Sequence, residues 1–310
     1  MRRAVRRGLP YGERCLPRGA LPRASVIGMR TYEWEHGILG RLLCAEEGEI
    51  TVGVALDFGL RISYLSFGGS ENLFFEQPTE MTDLSTPEGW RVRGGHRLWL
   101  APEGAHDYYP DNDPIKAEVL TGGLRISQKN DPRLCAEKTI EIRFLPQNTL
   151  EIRHLVKNTD TVARRASLWG VSSMAAGGVE YIPMAVRDGG SDPNHVFTTW
   201  DYTSLGDERA TYERDLITLD HYATGSKYKI GVGHPMGGVR YENRGVVFEK
   251  LLDVKAGAEY PDGGVSFETF LCDHMVEVET LSPLMDIGAG ETAVYSEFWK
   301  LTKQGESYET

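Results

Sequence analysis

The sequence predicts an all-β protein, a large antiparallel β-sandwich, and three observations carry that prediction. Apolar and polar residues alternate with a period of two from about residue 50 to the end, the pattern of strands that bury one face. Sustained spacings of three and four residues, typical of amphipathic helices, are nearly absent. The 310 residues include 35 glycines and 15 prolines, which supply turns between the alternating segments.

Each predicted strand is an alternating segment bounded by turn residues. The clearest are Thr51–Asp57, Leu60–Phe67, Lys116–Thr121, Leu124–Gln128, Glu137–Leu145, Thr149–Lys157, Ala166–Ser172, Lys227–Val232, Gly245–Leu252, Val265–Cys272, Met275–Leu281 and Ala293–Leu301. About a dozen strands with few crossover helices can close a barrel, build a propeller or stack two sheets. The sequence has no repeat of the length of a propeller blade, so a propeller is the weakest of the three. We expect a sandwich with one concave polar face for a ligand.

Charge divides the chain into two parts. Residues 1–28 hold seven of the 34 basic side chains and one of the 45 acidic ones, within a net charge of −11. We expect this segment to be a basic, disordered extension, with Met29 as a candidate true start, and residues 29–310 to form a single domain. The acidic body argues against nucleic acid as a partner, and no apolar run approaches the ~20 residues of a membrane helix.

Cysteine usage and missing motifs limit the cofactors. The four cysteines, at positions 15, 44, 135 and 272, have no paired spacing, which predicts free thiols in a reducing cytoplasm rather than a zinc site. Residues 106–113 carry oxygen ligands but lack the spacing and glycine of a calcium loop. Without a phosphate-binding loop or dinucleotide fingerprint, we expect no metal and no cofactor; the oligomeric state stays open.

The segment Gly94–Glu103 has the composition of a binding site. His96, Arg97, Trp99 and Glu103 fall within ten residues that open with two glycines and include a proline, so a loop entering a short strand is predicted. Imidazole, guanidinium and a flat aromatic face together suit a small polar ligand with apolar faces. A sugar is the ligand class that fits best.

A second candidate segment lies near the C-terminus. In the strand Met275–Leu281, alternation places Glu277 and Glu279 on one face, roughly 7 Å apart. They face either solvent, as ordinary acids of an outer strand, or a cleft. Trp169 is either a core residue or a sugar platform, and Lys229 either is solvated or contacts a hydroxyl, phosphate or carboxylate of a ligand.

The order of short motifs resembles the galactose mutarotase (aldose 1-epimerase) superfamily. The motifs are Gly59–Ile62, Gly69–Leu73, the Gly-rich segment 94–103, Glu279–Pro283 and Gly288–Glu291. The closer resemblance is to a mutarotase-like family of unknown function with similar Gly-Gly-His-Arg-Leu-Trp, Trp-x-Tyr-Thr and Glu-Thr-Leu-Ser-Pro-Leu segments. It extends over about residues 30–302.

This resemblance implies a β-supersandwich that binds a sugar in a concave groove. It implies Glu279 as the base, His96 as the acid or a sugar ligand, and Arg61 as a sugar-binding residue. Mutarotation needs a base at the anomeric hydroxyl and an acid at the ring oxygen. The stretch where mutarotases carry their acid histidine is Leu168–Met174 here, and it contains none.

Three functions remain open on the sequence. The protein is a mutarotase-like epimerase acting on an aldose or sugar derivative, a non-catalytic sugar-binding protein, or a glycosidase or lyase that pairs carboxylates among Glu103, Glu277 and Glu279. His96 is the best available proton donor in the sequence, and whether it faces Glu279 across the groove decides between an enzyme and a binding protein. Fold resemblance alone does not choose among them.

Overall fold

The fold consists of two large antiparallel sheets. The computed structural model describes residues 28–305, apart from 83, 132, 187–190 and 192–193, and contains strands but no helix in that part of the chain. The all-β sandwich prediction is confirmed. The prediction for residues 1–28 lies almost entirely outside the described residues.

The first sheet, called here the site sheet, has 11 strands. In spatial order they are β1 (Arg30–His36), β2 (Gly40–Glu47), β3 (Ile50–Ala55), β4 (Arg61–Phe67), β5 (Gly95–Ala101), β10 (Arg164–Ala175), β19 (Met275–Leu281), β18 (Phe267–Cys272), β15 (Tyr228–Val232) and β12 (Phe197–Thr199), with β20 (Met285–Ile287) paired to β10. Strands distant in sequence are thus neighbours at its centre.

The second sheet, the back sheet, has 10 strands. Their spatial order is β13 (Ala210–Tyr212), β14 (Leu216–Asp220), β11 (Val179–Pro183), β16 (Gly238–Asn243), β17 (Val246–Leu251), β21 (Thr292–Lys303), β9 (Thr149–Asn158), β8 (Ala136–Leu145), β7 (Gly123–Ser127) and β6 (Lys116–Leu120). Hairpins connect most neighbours, as short turns between alternating strands predict.

Alternation along β10 divides the site sheet into an inner and an outer face. Leu168 and Met174 belong to the large core that also contains back-sheet residues, whereas Trp169 and Val171 belong to a separate apolar cluster. Successive side chains of a strand point to opposite faces. The face toward the back sheet therefore holds the main core, and the outer face holds the second cluster.

A glycine pair lets β5 begin close to its neighbours. A Cβ at Gly94 would lie 1.7 Å from the Phe75 carbonyl oxygen, and one at Gly95 would lie 2.4 Å from the Ile62 carbonyl oxygen. Both residues have positive φ, 87° and 73°, which glycine adopts most readily. The predicted loop followed by a short strand is thus observed.

Several strands were absent from the sequence prediction. Strands β1 and β2 precede the first predicted one, and β11 to β14 follow the predicted Ala166–Ser172. All four of the later strands, β11 to β14, have only three to five residues, which leaves little length for a periodic pattern. Partners distant in sequence select their conformation.

Candidate functional site

The centre of the outer face carries a row of charged side chains. Strand register aligns Arg97 on β5 with Val171 on β10, then Glu279 on β19 and Glu268 on β18. The adjacent row aligns Ser173, Glu277, Phe270 and Lys229. The outer-face cluster is defined here as Arg97, Lys229, Glu268, Glu277, Glu279, Trp99 and Trp169.

The three carboxylates of this cluster pair with only two cations. Arg97 Nη1 donates to Glu277 Oε1 at 2.7 Å, and the same oxygen accepts the Ser173 hydroxyl at 2.7 Å. Lys229 Nζ lies 2.8 Å from Glu268 Oε2 and 3.2 Å from Glu279 Oε2. Glu277 thus has an arginine to itself, whereas Glu268 and Glu279 share one ammonium group.

Aromatic rings surround both cations. The Arg97 guanidinium carbon lies 4.2 Å from the Trp99 ring centroid, and Lys229 Nζ lies 4.7 Å from the Trp169 ring centroid. Trp169 Nε1 also donates to Glu279 Oε2 at 2.9 Å. Cation–π contact strengthens as water is excluded, so the rings help to hold the cations in place.

Hydrogen-bonding capacity remains unused in the cluster. Glu279 is fully buried, and its Oε1 has no hydrogen-bond partner. Neither Glu268 oxygen forms a hydrogen bond of good geometry despite the ion-pair contact with Lys229, and Arg97 Nε is also unpartnered. Buried polar atoms normally have partners, so these atoms are positioned to meet a ligand or water.

Burial and charge give the three glutamates different proton affinities. Burial raises the pKa of Glu279, although Lys229 partly opposes it, and burial raises the pKa of Glu268 well above its ordinary value. Burial also acts to raise the pKa of Glu277, but Arg97 and Ser173 outweigh it and lower that pKa. The cluster therefore combines one firmly ionised carboxylate with two that bind protons more readily.

Side chains from two loops cover the cluster. The Trp200 ring centroid lies 4.6 Å from Lys229 Nζ, and the Thr203 hydroxyl donates to the Lys229 carbonyl oxygen at 2.6 Å. On the other side, Tyr108 packs edge-on against Trp99, with ring centroids 5.2 Å apart. The charged side chains beneath them, Arg97, Lys229, Glu268, Glu277 and Glu279, are all buried, so the cluster is closed to solvent.

His96 does not belong to this cluster, and the prediction that it faces Glu279 is wrong. It pairs in register with Ser172, one residue from the outer-facing Val171, so it projects to the inner face. Its Nδ1 lies 2.9 Å from Ser172 Oγ and its Nε2 lies 2.8 Å from His154 Nε2. The strand parity that exposes Arg97 to the outer face buries its neighbour.

A polar network surrounds His96 between the sheets. Lys250 Nζ lies 3.3 Å from Glu297 Oε1 and donates to the Gly170 carbonyl oxygen at 3.1 Å. A Cβ at Gly170 would lie 2.7 Å from Glu297 Oε2, so glycine leaves room for this network. Burial, followed by the charge of Lys250, lowers the pKa of His96 well below its ordinary value, and a neutral ring suits a hydrogen bond between two imidazoles.

Three residues of this network have metal-ligand chemistry. The ligand atoms of His96, His154 and Glu297 lie within 4.8 Å of one another, and two imidazoles with one carboxylate form a donor set that zinc accepts. However, Glu297 Oε1 already accepts a hydrogen bond from Trp299 Nε1 at 2.6 Å and forms an ion pair with Lys250. An added dication would meet that ammonium group, so we assign the network to structural hydrogen bonding.

The remaining predicted residues lie around the outer-face cluster. Arg61 is buried beside Arg97 in the strand register, and its Nη2 lies 3.0 Å from Asp111 Oδ2. Glu103 is exposed and accepts a hydrogen bond from Tyr108. The structure thus brings together Arg97, Trp99, Trp169, Lys229, Glu277 and Glu279, with Arg61 and Glu103 at the margin.

Glu268 was missed, although the sequence carried a signal for it. Strands β18 and β19 are joined by the two residues Asp273 and His274, and Cys272 pairs with Met275. A two-residue hairpin fixes the register of both strands, which places Glu268 directly opposite Glu279. Trp200 belongs to the Trp-x-Tyr-Thr segment that the sequence singled out, but its position over Lys229 depends on the conformation of a loop.

No family model matches the sequence, and no curated protein matches it. Solved structures match the fold. A galactose mutarotase-like protein from Lactobacillus casei aligns with a TM-score of 0.54 and 10% identity over 84% of this chain and 100% of that one. A protein from Synechocystis sp. aligns with a TM-score of 0.53 and 11% identity over 89% of this chain and 96% of that one.

A TPR-domain containing protein from Parabacteroides distasonis also matches, with a TM-score of 0.58 and 14% identity over 86% of this chain. The alignment covers 48% of that protein, so this chain spans about half its length. Identities this low bear on architecture alone. The chain has the galactose mutarotase-like fold.

Proposed function

We propose that the protein is a sugar 1-epimerase that exchanges the anomers of an aldose at the outer-face cluster, with Glu279 as the base. The observation that carries this proposal is the unpartnered, buried Oε1 of Glu279. Its other oxygen is fixed by Trp169 and Lys229. One oxygen is thus oriented by the protein, and the other is left for a substrate hydroxyl.

The surroundings of Glu279 supply what a sugar needs. Trp99 and Trp169 offer aromatic surface for the apolar face of a pyranose, and Arg97 Nε is an unused donor. The two cations of the cluster are each paired with carboxylates. A phosphate group would need an additional cation to offset its charge, so the favoured substrate is an uncharged aldose.

Entry of the sugar requires the covering side chains to move. Tyr202 is 43% exposed and lies edge-on to Phe270 at 6.4 Å between ring centroids. It belongs to the loop that Thr203 ties to Lys229. Loops that close over a sugar exclude water and strengthen the electrostatic interactions inside, so we assign this loop the role of a cover.

Saturation-transfer NMR on a panel of aldoses tests the proposal. Galactose, glucose and their 6-phosphates are mixed with the protein, and the exchange rate between anomers is measured with wild type and with Glu279→Gln. We expect faster exchange of an uncharged sugar with wild type and at least about a hundredfold loss in the variant. No acceleration of any sugar in a broad panel would refute the epimerase.

The other two functions are outcomes of the same experiment. Sugar binding without faster exchange would favour a non-catalytic binding protein. Release of aryl alcohol from aryl glycosides would favour hydrolysis. The contacts do not favour Glu277 or Glu103 as a hydrolytic partner, because Arg97 and Ser173 engage Glu277 and Tyr108 engages the exposed Glu103.

A further inference from the structure

The missing histidine leaves the proposed reaction without an acid, and the strand register supplies a candidate. Glu268 on β18 pairs directly with Glu279 on β19. Residues opposed in an antiparallel pair have Cβ atoms about 4.5–5.5 Å apart and project to the same face. A second carboxyl group therefore stands beside the proposed base, on the outer face.

The two carboxyl groups share a single counter-ion. Lys229 Nζ lies 2.8 Å from Glu268 Oε2 and 3.2 Å from Glu279 Oε2. Both glutamates are fully buried. Two buried carboxylates beside one ammonium group would carry an uncompensated negative charge, so binding of one proton by the pair is favoured.

Glu268 also has free hydrogen-bonding capacity. Neither of its oxygens forms a hydrogen bond of good geometry, and Glu279 Oε1 has none either. A glutamate serving only as a structural partner of Lys229 would be expected to use its second oxygen within the protein. Glu268 Oε1 and Glu279 Oε1, which do not contact Lys229, are instead available to a bound molecule.

We propose that Glu268 is the proton donor of the reaction, taking the place of the histidine that this chain lacks. The inference rests on the epimerase function proposed above. Glu279 removes the proton from the anomeric hydroxyl while Glu268 protonates the ring oxygen. The bond between the anomeric carbon and the ring oxygen breaks, and an open-chain aldehyde forms.

Ring closure reverses these transfers. After rotation about the bond between the first two carbons, the hydroxyl of the ring oxygen attacks the other face of the aldehyde. Glu268 recovers the proton from that oxygen, and Glu279 returns its proton to the anomeric oxygen. No oxidant, reductant or further reactant is consumed, and both side chains finish in their starting protonation states.

The shifted proton affinities of the pair agree with these roles. Burial raises the pKa of both residues, and for Glu268 the direction is well above the ordinary range. Of the two, Glu279 is closer to Arg97 and donors that favour its ionised form, including Trp169 Nε1. The proton of the pair therefore belongs on Glu268 before the reaction.

The test compares Glu268→Gln with Glu279→Gln and with Glu180→Gln as the matched control. Glu180 is also fully buried, but it belongs to β11 of the back sheet, and its Oε2 accepts a hydrogen bond from the Thr269 hydroxyl on the inner face. Anomer exchange, sugar affinity and the pH–rate profile are measured for each variant. Circular dichroism and thermal unfolding establish that each variant is folded.

We expect Glu268→Gln to slow exchange by about a hundredfold or more while sugar affinity changes by less than about threefold. Wild-type activity should fall at high pH, where the acid loses its proton, and the residual activity of Glu268→Gln should lack that fall. Glu180→Gln should match wild type. An active wild type with an equally active Glu268→Gln, or with the same fall at high pH in that variant, would overturn the role of Glu268.

Carboxyl NMR gives an answer that does not depend on turnover. With ¹³C-labelled glutamate, the Glu268 resonance, assigned by its loss in Glu268→Gln, should have the chemical shift of a protonated carboxyl at pH 7. An ionised Glu268 at that pH would overturn the proposal even with an active enzyme. An inactive wild type with a protonated Glu268 would refute the epimerase function and, with it, the donor role.

Discussion

Close approach of the main chain at Gly94, directly before β5, allows the loss of stability on substitution to be predicted. Gly94 has φ 87°, and a Cβ there would lie 1.7 Å from the Phe75 carbonyl oxygen. Gly69 has φ 77° and nothing within 4 Å of an added Cβ. Alanine at either position loses stability because of the left-handed backbone. Only at position 94 does the added Cβ also collide with the main chain.

The expected loss of stability follows from these contacts. The left-handed conformation costs a non-glycine residue about 1–2 kcal/mol, and this is the whole expected effect of Gly69→Ala. Relief of the collision in Gly94→Ala moves the Phe75 segment, whose N–H donates to the Ser173 carbonyl oxygen at 2.9 Å. Overpacking adds about 1–3 kcal/mol, giving a total of about 2–5 kcal/mol.

Equilibrium unfolding in urea measures both variants against wild type under one set of conditions. We expect the free energy of unfolding to fall about 2 kcal/mol further for Gly94→Ala than for Gly69→Ala. Anomer exchange or sugar binding should also weaken in Gly94→Ala, because β5 carries Arg97. Equal losses in the two variants would refute the argument that close approach requires this glycine.

Three further predictions concern the buried charges. Lys229→Met should lower the free energy of unfolding by about 3–5 kcal/mol at pH 8, because it leaves Glu268 and the ionised Glu279 buried without their shared cation. The loss should be smaller at pH 5, where Glu279 also binds a proton. Equal losses at both pH values in urea unfolding would contradict this. Burial raises the pKa of Glu180 to about 8, so its contribution to the free energy of unfolding is fully present below its ordinary pKa of 4.5 and is lost as pH rises toward 8. Glu180→Gln should remove this part of the loss of stability between these pH values in urea unfolding. The same pH dependence of stability in wild type and variant would refute the assignment. His96→Gln should lower the free energy of unfolding by about 1–3 kcal/mol. Its affinity for sugar, measured by calorimetry, should equal that of wild type, because His96 lies on the inner face. Unchanged stability together with lost sugar binding would show that His96 belongs to the sugar site.

Much of the fold was accessible from the sequence because long strands leave a periodic pattern. Strands such as β8 and β9, with ten residues each, have apolar residues at most of their alternate, inward-facing positions. The order of strands in each sheet was not accessible, since β5, β10 and β19 become neighbours through contacts distant in sequence. Local pattern predicts a strand, and tertiary packing chooses its partner.

The candidate site was likewise predicted where it depends on a single strand and was not predicted where it depends on the pairing of strands. The common face of Glu277 and Glu279 follows from parity within one strand and was predicted. The face of His96 relative to Glu279 depends on the register of two intervening strand pairs, and a shift of one residue reverses every side chain. Composition therefore identified the segment 94–103, whereas register decided that Arg97, not His96, faces the cluster.

The most direct test of the outer-face assignment compares anomer exchange in Glu279→Gln and His96→Gln, both verified as folded at the assay temperature. Glu279 on β19 and His96 on β5 lie on either side of β10 in the same sheet, but on opposite faces of it. We expect an uncharged aldose to exchange its anomers at the wild-type rate with His96→Gln and at least about a hundredfold more slowly with Glu279→Gln. Retained exchange in Glu279→Gln together with loss in His96→Gln would contradict it.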